Sequence, residues 1–166
     1  MKNLQRGFVV PLIIATIVIL AIGGGLYFYN VTKVKSTDWK KYSESELLAM
    51  VKSQSWYDEA TYFIALENNF LILDQGTAPD PRGLIVYDLN INKKIYSDRY
   101  SKPIEVKNNT ITYWSPIDTK VTKENCPESI EWAKNWLGAG MESHIILNLS
   151  DLSKKESGEY RCSVRQ

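Results

Sequence analysis

The chain is poor in the residues that most often perform chemistry. It holds one histidine, His144, and two cysteines, Cys126 and Cys162. A lone imidazole has no second histidine with which to share a zinc ion. The cysteines match no metal spacing and stand too far apart for a CxxC redox motif. No serine sits in a Gly-x-Ser-x-Gly elbow. Paired-carboxylate glycosidase chemistry needs two acids about 5 Å apart, and none of the nineteen acidic residues is singled out for such a pair. Excess charge is missing too: the net charge is +1, without the basic face that nucleic acid requires. These gaps leave no catalytic set, no metal site and no cofactor motif, so the expectation is a binding or interaction domain, with a cell-envelope hydrolase using paired carboxylates as an alternative.

Charge is absent altogether from one stretch, FVVPLIIATIVILAIGGGLYFY, residues 8–29. As a helix it would span about 33 Å, against about 30 Å for a bilayer core. A single transmembrane helix is therefore expected there. Tyr27, Phe28 and Tyr29 stand where aromatic side chains favour a membrane–water interface. Residues 1–7 form a short leader carrying Lys2 and Arg6, the layout of a signal anchor. Pro11 falls near the helix start, where its missing N–H costs little.

The stretch QRGFVVPLIIATIVILAIGGG resembles the N-terminus of type IV prepilins and pseudopilins. That resemblance implies leader cleavage between Gly7 and Phe8, and a pseudopilin-like structural subunit as an alternative role. Leu12 stands at the fifth mature position, where that family usually carries Glu.

Orientation is argued from both sides. Lys33, Lys35, Lys40 and Lys41 follow the apolar run, and a positive-inside count would keep the domain in the cytoplasm. The signal-like start, the short leader and the cysteine pair point the other way. The expectation is a domain outside the cytoplasm, with the membrane and an envelope protein or glycan as partners. In an oxidising compartment Cys126 and Cys162 would close a loop of about 37 residues, worth about 4 kcal/mol on the loop-entropy relation.

Residues 30–42 are polar and read as a tether, and residues 43–166 as the domain, long enough for one core. Ser43 and Glu46 form a capping box ahead of Leu47, Leu48, Met50 and Val51, predicting a helix over 44–53. Beyond Trp56 the pattern turns to strands. TYFIAL and FLILD flank Glu67-Asn68-Asn69; LIVYDL and KIYS flank Asn90 to Lys93; residues 104–106 and TITYW flank Lys107-Asn108-Asn109. Asn accepts positive φ, so each is a hairpin signal. A second helix is expected from Cys126 to about Leu137, burying Ile130, Ala133, Trp136 and Leu137 and ending at Gly138-Ala139-Gly140. SHIILNL and EYRCSV would be closing strands. The fold class is α+β: an N-terminal transmembrane helix, then a small, mainly antiparallel meander of hairpins with two short helices.

The loop Asp74 to Gly83 has two Pro and two Gly, so a binding role is considered for Asp74, Asp80 and Arg82. The alternative is a structural connection in which Arg82 bridges a nearby carboxylate. His144, inside a strand, is expected to be packed or exposed, not catalytic. The aromatic residues suit core packing, or a platform for glycan or peptide.

Overall fold

The computed structural model describes residues 37–77 and 79–165. The leader, the apolar stretch with Gly7, Phe8, Tyr27, Phe28 and Tyr29, and most of the tether lie outside these residues. Among the described residues no helix is long and apolar enough to cross a membrane.

Seven antiparallel strands form one sheet in sequence order: β1 Thr61–Glu67, β2 Phe70–Gln75, β3 Arg82–Asp88, β4 Lys93–Lys107, β5 Thr110–Ile117, β6 Gly138–Asn148 and β7 Lys154–Arg165. The turns after β1, β3 and β4 place Asn68, Asn92, Asn108 and Asn109 at positive φ, the conformation that asparagine tolerates best after glycine. Two helices accompany the sheet, α1 Glu44–Val51 and α2 Ser129–Lys134.

The capping box is formed. Ser43 Oγ accepts from the Glu46 N–H at 3.4 Å, and Glu46 accepts from the Ser43 N–H at 2.8 Å. Leu47 and Val51 of α1 are buried on the outer side of β2 and β3, against Leu71, Leu73, Ile85 and Tyr87. Trp39 and Tyr42 pack against the same cluster, so the folded body begins within the stretch read as a tether.

The sheet does not lie flat. β4 pairs with β3 through its first half and with β5 through its second. Between the pairs Ser101↔Trp114 and Glu105↔Thr112, β4 advances four residues while β5 advances two. Pro103, which has no N–H for a ladder bond, sits in that excess. A strand that changes partners at such a bend turns a sheet corner. The inner cluster confirms the fold-over: Ile72, Leu84 and Val86 from one half meet Ile111, Tyr113, Ile145 and Leu147 from the other. Polar bonds also cross between the halves. Lys154 Nζ lies 2.6 Å from Asp98, and the Asn109 N–H donates to Glu67 at 3.0 Å.

Two expectations are corrected. The stretches 94–97 and 104–106 are not separate strands but parts of the single long β4. The second helix is shorter and does not bury its stripe: Ile130 and Ala133 are exposed, and Trp136 is 98% exposed. Trp136 has left the helix at φ 60°, and the Gly138-Ala139-Gly140 run opens β6 by pairing with β7. Cys126 and Cys162 are disulfide-bonded, with Cα atoms 5.3 Å apart.

Candidate functional site

Strand register builds the most elaborate polar arrangement on the outer face of the back half. Residues directly opposite in an antiparallel pair project to the same side. The pairs Ser101↔Trp114, Trp114↔His144 and Glu142↔Arg161 therefore collect five side chains on one face. Ile111, Tyr113, Ile145 and Leu147, at the alternate positions, fill the interior.

Glu142 is the centre of this face and is fully buried. Its Oε2 accepts from Arg161 Nε at 2.7 Å. Its Oε1 accepts from Ser101 Oγ at 2.5 Å and lies 2.9 Å from Arg165 Nη2. Burial pushes the carboxyl pKa upward, but the hydrogen bonds from Ser101 and Arg161 outweigh it and hold Glu142 below its usual 4.5. One carboxylate thus stands between two guanidinium groups, a local surplus of positive charge. Arg165 reaches it by lying against Gly140: a Cβ there would come within 2.5 Å of Arg165 Nε.

Arg161 is fixed from several sides. Besides Glu142, its Nη2 donates to the Lys102 carbonyl at 2.8 Å, and its guanidinium carbon lies 4.5 Å from the Trp114 ring centroid. Such contacts fix the orientation of the planar fork. Arg161 forms one wall of a cleft of about 350 Å³, with Trp132 of α2, Pro79 and Asp80 of the β2–β3 loop, Ser101 at the β4 corner, and β7 through Val164. The neighbouring Cys162 is the residue that the disulfide ties to Cys126.

The residues considered for the 74–83 loop are divided between two tasks. Asp74 and Arg82 pair at 2.6 Å, and Arg82 also lies over the Tyr62 ring, 5.6 Å from its centroid. This is the internal bridge that the structural alternative anticipates. Asp80 is turned elsewhere: its Oδ2 accepts from the Lys102 N–H at 3.1 Å, and it lines the cleft.

Among the described residues, two further polar groups stand out, around His144 and around Asp98. His144 stacks near Trp114, at 5.0 Å between centroids. Its Nδ1 faces both Ser157 Oγ at 3.1 Å and Glu159 at 3.5 Å. A nucleophile–base–acid relay needs its two partners on different ring nitrogens, so this is not such a triad. Asp98 accepts from Tyr113 at 2.7 Å, Tyr96 at 3.0 Å and Lys154 at 2.6 Å. Burial raises Tyr96 to about 12 and raises Tyr113 as well, so both hydroxyls remain neutral donors. Asp98 itself is held low: burial pushes it up, and the bonds from Lys154 and Tyr113 outweigh that. A general-acid carboxyl needs the opposite shift. Glu128 lies near the two cysteine sulfurs, but those sulfurs are bonded to each other and are not the thiolates that bind metal.

By its fold the chain carries a disulfide-tied antiparallel meander domain with an arginine-walled cleft. No protein-family model, no curated protein and no solved structure matches it.

The sequence reading reached Asp80 and missed Glu142, Arg161, Arg165 and Ser101. The available signal was a pair of opposite charges inside neighbouring strands, Glu142 in GMESHIILN and Arg161 in EYRCSV, where apolar alternation leaves little reason for charge.

Proposed function

We propose that this chain is a membrane-tethered binding module whose domain works outside the cytoplasm, and that the cleft beside β7 is its recognition site. One observation carries the reading: Arg161, the oriented wall of the cleft, is followed directly by Cys162, which is held to Cys126. The binding wall and the disulfide are thus built into one strand end, and a disulfide persists in oxidising compartments. The apolar 8–29 stretch supports the tether, and the polar surplus around Glu142 supports recognition of a polar partner.

The test is thiol labelling of the full chain in intact cells with a membrane-impermeant maleimide. The expected result is no labelling of Cys126 and Cys162 without reductant, and labelling of both after reduction. Labelling of both only after lysis, with no reductant needed, would place the domain in the cytoplasm and overturn the proposal.

A further inference from the structure

We infer that the cleft takes a short zwitterionic peptide, with its carboxylate against Arg161 and its ammonium group against Asp80; this rests on the cleft being the recognition site. The argument begins at Lys102. Asp80 Oδ2 accepts from its N–H, and Arg161 Nη2 donates to its carbonyl. Opposite charges are thereby anchored on the two backbone groups of a single residue, both at the cleft. Each lines the cleft and retains unused capacity, since Asp80 Oδ1 and Arg161 Nη1 have no hydrogen-bond partner among the described residues.

Charge then selects the ligand. A dianion meets Asp80, a dication meets Arg161, and a neutral molecule leaves both unmatched. A zwitterion satisfies both. The second arginine on Glu142 adds to the selection, because Arg161 shares the Glu142 carboxylate with Arg165 and remains available to another anion. With Nε and Nη2 engaged, Arg161 offers Nη1 to a ligand carboxylate, for one charge-assisted hydrogen bond.

Shape points to a peptide. The cleft, about 350 Å³, lies at the small end of ligand sites. Four consecutive residues of β7, Arg161 to Val164, line it, and β7 is an edge strand that pairs only with β6. Successive side chains of a strand point to opposite faces. A cleft that meets four in a row therefore runs along the strand's free edge, where unpaired backbone groups can bond an extended peptide. Trp132 supplies an apolar wall for its side chains.

The test uses the full-length chain in detergent micelles, titrated with alanyl-alanine and followed by tryptophan fluorescence and calorimetry. Parallel titrations use the N-acetylated dipeptide, the C-amidated dipeptide and neutral chitotriose. The free dipeptide is expected to bind saturably, and each blocked form at least about tenfold more weakly, the scale of one lost charge-assisted hydrogen bond. Asp80→Asn should abolish the preference for a free ammonium group and keep the preference for a free carboxylate. Arg161→Lys should weaken the carboxylate preference; Asp80→Asn serves alone should that variant fail to fold. Equal binding of free and blocked dipeptides overturns the inference. Binding of chitotriose but not dipeptide, lost in Trp132→Ala, overturns it too while leaving the cleft as a recognition site. No saturable binding of any probe removes both.

Discussion

The two outward faces of the sheet are built by the same alternation and have opposite character. In the front half the outward positions are Leu71, Leu73, Ile85 and Tyr87, and α1 covers them with Leu47 and Val51. In the back half they are Ser101, Trp114, Glu142, His144 and Arg161, and Trp132 of α2 meets Ser101 and Arg161 at the cleft. The difference separates two ways of closing a sheet surface. Apolar burial is insensitive to direction and tolerates imperfect geometry. A buried carboxylate between two arginines is costly unless every bond is made, and for that reason it fixes its partners in one arrangement. The covered face holds the domain together. The charged face positions Arg161, at the expense of a weak point in the fold.

The largest break in this comparison is expected at the centre of the charged face. Glu142→Ala leaves two arginines and the Ser101 hydroxyl facing an uncompensated site, and breaking a buried pair from one side costs about 3–5 kcal/mol. Urea denaturation should show that loss, and a change under about 1 kcal/mol would mean the network behaves as an exposed surface pair. On the covered face, Leu47→Ala removes a side chain that is 2% exposed, and should cost about 3 kcal/mol. The denaturant slope should stay unchanged, because the cooperative unit is the same.

A smaller effect distinguishes the halves by pH. Glu142 and Asp98 are both held below their ordinary values of 4.5 and 3.8. A depressed folded-state pKa contributes stability that is complete above the unfolded value and is lost as pH falls through the folded one. Stability measured by denaturant titration should therefore be level from neutral pH to about pH 5 and then decline. Glu142→Gln should make that decline shallower, and Leu47→Ala should leave its slope unchanged. A decline of the same slope in Glu142→Gln would show that Glu142 does not contribute to it.

Legibility in the sequence followed range of interaction. The Ser43–Glu46 box spans three residues and was readable in full. The Asn-centred hairpins were readable because the turn and the strand periodicity are local. The continuity of β4 was not: Asp98 to Pro103 breaks the apolar pattern, and Tyr100 and Ser101 are buried there only because the strand is passing from one half to the other. In the second helix, the spacing of Ile130, Ala133 and Trp136 was real, yet the helix stops at Lys134, Trp136 takes positive φ, and Gly138 to Gly140 pair with β7. The Glu142 centre was hidden for a related reason. Arg161, Arg165 and Ser101 come to it from two other strands, and only the register of β4 to β7 with the fold-over at the corner brings them together.

The covered face is expected to affect stability without affecting recognition, and the cleft beside the charged face to govern recognition. The most direct measurement is alanyl-alanine affinity for Leu47→Ala and Asp80→Asn, side by side at a temperature where both variants are folded. The account predicts unchanged affinity in Leu47→Ala despite its lower stability, and a loss of about tenfold in Asp80→Asn, whose asparagine can still accept from the Lys102 N–H. Equal affinity in both, or a loss confined to Leu47→Ala, would contradict it.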